Sequence, residues 1–268
     1  MSKRIIALPD IHYPHQIDLT PIETFMKDFK PTHIIYLGDL ISVDYIGKFA
    51  DASDKEGKRL KQDYEYIRDM FNRHRSINKS KLIWILGNHE ERINTLTRKL
   101  PEVFKGFIEL DQYFAEDVDQ IIKYGYVWKA SKYLGYMHGS YYNIHHSKKT
   151  GQEFSDMSIV YGHVHDTQKH TFMNARDYNT PKPRYAQSIG CLSTLSPEFL
   201  RRRGRGNKWV HAFSIAYVRE NGHFNEFTIH IINNRFQYGG KTYEADKHNQ
   251  QVQKKIGPGR LLHRSSQK

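Results

Sequence analysis

Seven residues that could bind metal ions stand where short apolar runs of the sequence end. In chain order they are Asp10, His12, Asp39, Asn88, His138, His163 and His165. Carboxylate, amide and imidazole groups without a thiolate suit divalent ions such as Mn²⁺, Fe²⁺, Zn²⁺ or Ni²⁺. Two such ions held side by side can activate a water and neutralise a phosphate ester in one step. The pattern therefore predicts a dinuclear site for phosphoester chemistry.

Each motif also has a simpler interpretation when it is taken alone. Asp10-x-His12 can cap a turn, and Asn88 is a favoured residue at the N-terminus of a helix. A purely structural interpretation explains the whole series poorly, because the motifs follow one another at predicted strand ends. The carboxyl ends of neighbouring parallel strands converge on one crevice, where open α/β sheets usually bind ligands.

The elements that must position these residues alternate in type through the first half of the chain. Apolar β-branched runs predict strands at 4–8, 33–37 and 81–86. Apolar residues at helical spacing predict helices at 20–29, 58–75 and 88–100. This βαβαβα order is typical of parallel strands joined by crossover helices.

The second half of the chain changes to strands separated by short turns. After a helical stretch near 112–122, strands are predicted at 124–129, 133–138, 158–161, 184–189, 211–218 and 224–232. Two packed sheets with outer helices would accommodate this mixture, which indicates an α/β fold. We expect one catalytic domain over 1–232 and a basic, loosely ordered C-terminal tail over 233–268.

Composition limits the class of protein. With 268 residues, 38% of them hydrophobic and 13% aromatic, the chain can build one packed domain with additions. Cys191 is the single cysteine, which excludes an intramolecular disulfide and favours a reduced, cytoplasmic setting. Apolar runs are too short for a signal peptide or a membrane span, so we expect no membrane partner.

Positive charge is concentrated in two stretches. The formal net charge is +12; residues 201–208 contain five basic and no acidic residues, and residues 241–268 contain seven basic and two acidic residues. A basic loop at 196–208, with Arg201, Arg202 and Arg203, could steer a nucleic-acid backbone towards the metals. A solvated loop and tail explain the same charges equally well.

The motifs together resemble a known signature. Asp10-x-His12, Gly38-Asp39, Gly87-Asn88-His89-Glu90, His138-Gly139 and Gly162-His163-x-His165 resemble the five blocks of the calcineurin-like metallophosphoesterase superfamily. The resemblance implies a four-layer α/β/β/α sandwich of two mixed sheets. It also implies two divalent ions, with Mn²⁺ as the leading candidate and Fe, Zn, Ni or Mg as alternatives.

Roles for individual residues follow from the same resemblance. It implies Asp10, His12 and His165 on one ion, Asn88, His138 and His163 on the other, and Asp39 bridging both. It implies that a metal-bridging hydroxide attacks phosphorus while His89, oriented by Glu90, protonates the leaving group.

The substrate is less defined than the reaction. Ser42, Val43 and Leu86 stand where the protein phosphatases tend to have Asp or Arg, which weakens the case for a phosphoprotein. We favour a phosphodiesterase or nuclease acting on nucleic acid or nucleotides. A phosphomonoesterase acting on a small molecule, nucleotide or protein, and an inactive nucleic-acid-binding scaffold, stay open. Candidate substrate contacts, which could equally be packing or solvated residues, are Tyr13, Arg92, Tyr141, Tyr142, Arg201, Arg202 and Arg203.

Overall fold

A computed structural model describes residues 2–46, 60–102, 109–173, 183–196 and 207–245. The first half contains β1 (Lys3–Leu8), α1 (Thr20–Phe29), β2 (His33–Tyr36), a 3₁₀ turn (Asp44–Ile46), α2 (Leu60–Asn78), β3 (Lys81–Ile85), α3 (Asn88–Thr97), α4 (Leu110–Tyr113) and β4 (Gln120–Ile122). The second half contains β5 (Trp128–Lys129), β6 (Leu134–Met137), α5 (His146–Glu153), β7 (Ser158–Tyr161), β8 (Thr167–Phe172), β9 (Arg184–Ile189), β10 (Ala212–Val218), β11 (Phe224–His230), β12 (Arg235–Tyr238) and β13 (Lys241–Glu244). None of the helices in these ranges is long and apolar enough to cross a membrane.

The strands form two large mixed sheets and one separate hairpin. The first sheet has the order β11-β10-β1-β2-β3-β4, in which β1 to β4 are parallel and β10 and β11 are antiparallel additions. The second has the order β5-β6-β7-β9-β8, in which β6, β7 and β9 are parallel. The five strands that lead into the expected ligands, β1, β2, β3, β6 and β7, are all among these parallel strands.

Apolar cores lie between the layers and hold the two sheets and their helices together. Ile5 of β1 and Val160 of β7 belong to the core between the two sheets. Phe25 of α1 and Phe71 of α2 cover the outer face of the first sheet. Helix α5 lies so close to the second sheet that a Cβ on its Gly151 would come 2.8 Å from the ring of Phe172. The expected four-layer α/β/β/α sandwich is therefore confirmed.

Several expected elements differ in the structure. The helical stretch expected near 112–122 is limited to Leu110–Tyr113, and Gln120–Ile122 instead pairs in parallel with β3. A two-residue apolar run gives little strand signal, and the free edge of β3 decides its conformation through tertiary pairing. The strand expected at 124–129 contracts to Trp128–Lys129, whereas α5 and β8 were not predicted.

The loosely ordered tail expected over 233–268 contains an ordered hairpin at its start. The β12–β13 hairpin lies within it, and both Phe236 and Tyr243 pack against Phe25 of α1, with ring centroids 5.7 and 5.2 Å away. The prediction is therefore wrong for 233–245, because apolar side chains at alternating positions bury one face of a polar segment. Residues 246–268 lie outside the described part of the chain.

Candidate metal centre

All seven expected ligands meet at one end of the two sheets. Each follows the carboxyl end of a strand: β1 for Asp10 and His12, β2 for Asp39, β3 for Asn88, β6 for His138, and β7 for His163 and His165. The parallel strands of the first sheet thus supply four ligands and those of the second supply three.

One cluster joins the β1 loop to the β7 loop. The Nε2 atoms of His12 and His165 lie 3.2 Å apart, and His165 Nε2 lies 3.2 Å from Asp10 Oδ1. His12 Nε2 lies 3.9 Å from the same oxygen. Ligand atoms of all three side chains fall within 4.8 Å of one another, which is close enough to share one cation.

A second cluster lies beside the first, and Asp39 stands between them. Asn88 Oδ1 lies 3.0 Å from His138 Nε2 and 2.9 Å from His163 Nδ1. Asp39 Oδ2 lies 3.4 Å from His138 Nε2 and 3.7 Å from His12 Nε2. One carboxylate oxygen therefore faces a ring nitrogen of each cluster.

Backbone strain accompanies this convergence. Asp10, His12, Asp39, His163 and His165 have φ angles of 48, 53, 48, 71 and 64°. Residues other than glycine rarely adopt this left-handed region, at a cost on the order of 1–3 kcal/mol each, and such strain is concentrated at functional sites. The left-handed conformation of these residues turns the chain sharply at the strand ends, where the ligand side chains meet.

Glycines beside the ligands are explained by close approach. A Cβ on Gly87 would overlap Asp39 Oδ1, and a Cβ on Gly162 would overlap Asp10 Oδ2. The glycine of each motif therefore leaves room for a carboxylate supplied by a different loop.

Two of the histidines carry raised pKa values. Burial is the largest single influence and lowers the pKa of both rings. For His138 the charge and hydrogen bond of Asp39, with Asp10 and the Leu37 carbonyl, together raise the pKa to about 9. For His165 the charge and hydrogen bond of Asp10, with Cys191, together raise the pKa to about 10. His138 Nδ1 donates a hydrogen bond to the carbonyl of Leu37 at 2.6 Å, so its Nε2 points at the ligand oxygens. A second proton on such a ring occupies the place that a cation would take.

The other two imidazoles are held neutral. Burial lowers the pKa of His12 well below its usual range and that of His163 to about 4. Neutral imidazole is the form that binds metal. The buried Asp10 Oδ1 makes no hydrogen bond of normal geometry among the described residues, although the ring nitrogens of His165 and His12 lie 3.2 and 3.9 Å away. A carboxylate oxygen that faces two imidazole nitrogens in this way fits a divalent cation.

Comparisons with known proteins show the family of this chain. A family model described as "Calcineurin-like phosphoesterase" matches residues 3–236. The chain belongs to the calcineurin-like phosphoesterase family. This makes it a metal-dependent phosphoester hydrolase, and the buried Asp and His clusters agree with divalent metal binding.

Individual relatives of the phosphoesterase are distant. It is 22% identical to the "Gene 54 protein" of Mycobacterium phage D29, over 91% of this chain and 100% of the relative. Among solved structures, it resembles wild-type Vps29 complexed with Zn²⁺ from Entamoeba histolytica, with 10% identity, TM-score 0.47, and coverage of 87% of this chain and 96% of that chain. It also resembles Chaetomium thermophilum Vps29, with 13% identity, TM-score 0.39, and coverage of 90% and 98%.

His89 borders both clusters, and one of its ring nitrogens lies within 4.8 Å of ligand atoms of His12 and Asp39. Its Nε2 lies 3.8 Å from Asp39 Oδ2, and its ring meets that of His12 edge-on at a centroid distance of 4.7 Å. Its backbone N–H donates to Asp39 Oδ1 at 2.8 Å. Its Nδ1 bonds the carbonyl oxygen of Ser42. Because a carbonyl only accepts, Nδ1 carries a proton and Nε2 faces the crevice of the phosphoesterase.

Glu90 was expected to orient His89; its carboxylate bonds backbone N–H groups, and the ring of His89 bonds the carbonyl of Ser42. The buried Glu90 carboxylate accepts backbone N–H groups from Asp39 and Leu40 at 2.8 Å, from Ile41 at 3.3 Å and from Gly87 at 2.7 Å. Burial, followed by the Asp39 charge, raises the pKa of Glu90 to about 7, while these donors oppose the shift. Glu90 thus ties the Asp39 loop to the start of α3.

Two of the expected substrate contacts are Arg92, which lies beside His89, and Tyr13, which follows His12 in the chain. Arg92 Nη1 lies 3.5 Å from His89 Nδ1, so its guanidinium borders the site. Tyr13 stacks on Tyr66 at a centroid distance of 3.9 Å and an interplanar angle of 17°. One face of Tyr13 is therefore already occupied by packing.

The remaining expected contacts are on the loop after His138 and in the basic loop. Tyr142 is 81% exposed, and the ammonium of Lys149 lies 5.6 Å from the Tyr141 ring. Arg201, Arg202 and Arg203 lie outside the described residues.

Trp209 was not among the residues predicted to lie at the site. Its ring meets that of His165 at a centroid distance of 4.2 Å and an angle of 61°. The adjacent Val210 N–H donates to the His165 carbonyl at 2.8 Å, which fixes this segment beside the first cluster. The position of Trp209 directly after the basic loop was the only available signal, and it does not show which way the ring points.

Proposed function

We propose that this phosphoesterase hydrolyses phosphodiester bonds of nucleic acid or nucleotides with two divalent ions. Asp10, His12 and His165 would hold one ion and Asn88, His138 and His163 the other, with Asp39 shared. The position of Asp39 Oδ2, 3.7 Å from a ring nitrogen of one cluster and 3.4 Å from a ring nitrogen of the other, carries the proposal.

The donor set supports the choice of metal. It combines carboxylate and amide oxygens with imidazole nitrogens and contains no thiolate, which favours Mn²⁺ and also suits Fe, Zn, Ni or Mg. When bound, two such ions supply an activated water and neutralise the charge on the phosphoryl oxygens.

His89 supplies the proton that the departing oxygen needs. Its Nδ1–H is engaged by Ser42, so the second nitrogen, Nε2, is left to hold and release a proton towards the crevice. A positioned acid of this kind is worth about 10²–10⁴-fold in rate, and it matters most when the leaving group is a poor one. An alkoxide leaving group, such as a nucleotide ribose oxygen, is of that kind.

Three features favour a polymeric or nucleotide substrate. The chain has a net charge of +12, and Arg92 borders the site. The loop that follows His138 presents an exposed Tyr142, with Lys148 and Lys149 on the helix that comes next. Aromatic and basic side chains together suit stacked bases and a phosphate backbone.

A substrate panel with Mn²⁺ tests the proposal. It compares a phosphomonoester, a bis-ester, single-stranded DNA, duplex DNA, RNA, and cyclic or dinucleotides. We expect the diesters to be turned over fastest. Preference for the phosphomonoester would establish the runner-up activity, and absence of turnover by metal-loaded protein would support a binding scaffold.

Two variants test the parts of the site. His89→Ala should keep its metal content and lose about 10²-fold or more in turnover of an alkyl-leaving diester. Tyr142→Ala should slow oligonucleotide turnover while sparing a small chromogenic ester. Phe227→Ala is the matched control, because this aromatic residue is 49% exposed on the edge strand β11. Equal effects of the two aromatic substitutions would contradict a role for Tyr142.

A further inference from the structure

We propose that Asp44, paired with His15, is a positioning residue that acts on His89 through the carbonyl of Ser42. This inference rests on the proposed role of His89 as the proton donor. It concerns the turn formed by residues 42–44, called here the Ser42 turn.

The Ser42 turn is strained at its centre. Val43 has a φ angle of 42° and is 1% exposed. A β-branched residue in the left-handed region is a genuine outlier, and it persists only where surrounding contacts impose it. The peptide bond that precedes Val43 carries the very carbonyl that bonds His89 Nδ1. The strain therefore lies where the orientation of His89 is set.

Asp44 is the side chain that closes the Ser42 turn. Its Oδ2 accepts a hydrogen bond from Ser42 Oγ at 2.8 Å and bonds His15 Nε2 at 3.0 Å. Backbone bonds support the same geometry, since Ser42 N–H donates to the Tyr13 carbonyl at 2.9 Å and Ile46 N–H to the Val43 carbonyl at 3.0 Å. The Asp44 carboxylate thus links the two residues on either side of the strained Val43.

His15 anchors this carboxylate to the loop that carries His12. The His15 N–H donates to the His12 carbonyl at 2.7 Å, and the His15 carbonyl accepts from Thr194 N–H at 2.8 Å. Asp44 follows Asp39 on the neighbouring loop. The pair therefore fixes the Ser42 turn relative to the loop of the first cluster, and Ser42 in turn fixes the ring of His89.

The location of the pair argues against stability as its main effect. The side chains of His15 and Asp44 are 41% and 53% exposed, and exposed ion pairs contribute little to folding. Within the part of the chain that the structure describes, the side chains of His15 and Asp44 bond each other, Asp44 also bonds Ser42, and neither bonds a metal-ligand atom of the two clusters. Release of Asp44 should let the Ser42 turn relax and the His89 ring rotate, with the metal ligands left in place.

The dependence of turnover on the leaving group measures this effect. Two esters are compared that share the reacting phosphoryl group and differ only in a 4-nitrophenyl or a phenyl leaving group. 4-Nitrophenolate departs readily without a proton, whereas phenolate depends more on an acid. Diesters or monoesters serve equally, according to which class is turned over.

We expect Asp44→Ala to lower kcat about 10-fold or more for the phenyl ester and less than about threefold for the 4-nitrophenyl ester. His15→Ala should show the same selectivity in weaker form, and it provides the test if Asp44→Ala folds poorly. Asp44→Asn keeps an acceptor for Ser42 Oγ and should restore most of the phenyl activity. Metal content and Tm should match the wild type.

Asp28→Ala is the matched control. Asp28 is also an exposed carboxylate with two partners, Lys241 at 2.6 Å and Tyr243 at 2.9 Å, and it lies on α1 away from the centre. This variant should leave both esters unaffected.

The variants distinguish failure of the positioning role of Asp44 from failure of the acid role of His89. Equal losses on both esters in Asp44→Ala and His15→Ala, or loss of bound metal, would overturn the positioning role. If His89→Ala is selective for the phenyl ester and the Asp44 variants are not, this inference alone fails. If His89→Ala itself shows no selectivity, the acid role of His89 fails and the positioning role fails with it.

Discussion

Glu90→Gln is the most informative single substitution, because it separates a structural from a catalytic role of a buried carboxylate. One carboxylate oxygen, Oε2, accepts from Asp39 and Gly87, and the other, Oε1, accepts from Leu40 and Ile41. A glutamine of the same shape places an N–H₂ group where one oxygen was, so two backbone donors would face another donor.

The expected loss follows from the two bonds removed. A hydrogen bond to a charged group contributes about 1.5–3 kcal/mol, so two give about 3–6 kcal/mol in the free energy of unfolding. For a domain of this size that corresponds to a fall in Tm on the order of 10 °C. Because the Asp39 loop is held by these bonds, bound metal and turnover should fall together for every substrate.

Unfolding scans and metal analysis of the purified variant check this prediction. Glu91→Gln is the control on the same helix. Glu91 bonds Arg98 at 2.7 Å and Asn94 at 3.3 Å with a partly exposed side chain, and the change should cost less than about 1 kcal/mol. A Glu90→Gln protein with wild-type Tm and metal content that loses only poor-leaving-group turnover would refute our reasoning. It would restore the catalytic partnership with His89 expected from the sequence.

Three further predictions concern the shared ligand, a glycine and the pH dependence of stability. Asp39→Asn should lose bound metal and activity together, measured by metal analysis and a turnover assay, since this carboxylate lies between the clusters. Gly162→Ala should weaken metal binding, because its Cβ would overlap Asp10 Oδ2, and metal titration monitored by unfolding temperature checks this. Burial, followed by nearby lysines, lowers the pKa of His33 to about 4, so the unfolded state binds the proton more readily below pH 6.5. The stability that this residue contributes should therefore be present above pH 6.5 and fall towards pH 4, and urea unfolding of His33→Gln should show a flatter profile in that window.

The expected ligands could be predicted from the sequence because their side chains are of types that bind metal ions. Asp, Asn and His stand after apolar runs, and the strands β1, β2 and β3 were predictable because their β-branched residues are buried on both faces. The orienting partner of His89 was not predictable. It is a backbone carbonyl, which every residue has, and only the left-handed turn at Val43 brings it within reach.

Elements were missed where tertiary contacts replace local patterns. The β12–β13 segment has a polar composition, and its two buried aromatic residues are stabilised by the rings of α1 and not by neighbours in sequence. Strand β8 is mostly polar and only half-buried, so pairing with β9 and the packing of Phe172 against α5 determine it more than its own sequence pattern does. In both cases contacts with an element distant in sequence stabilise the strand, and the local sequence pattern does not reveal them.

The division of ligands between the sheets has a consequence for assembly of the site. In the proposed arrangement each ion takes ligands from both sheets: Asp10 and His12 meet His165, and Asn88 meets His138 and His163. Their separation is set by the apolar core between the sheets and by the bond from His138 to the Leu37 carbonyl, which crosses that interface. The ligand distances of about 3 Å therefore exist only once the sheets have packed. Formation of the centre thus requires the sandwich to be closed, and bound cations would hold together loops from both sheets.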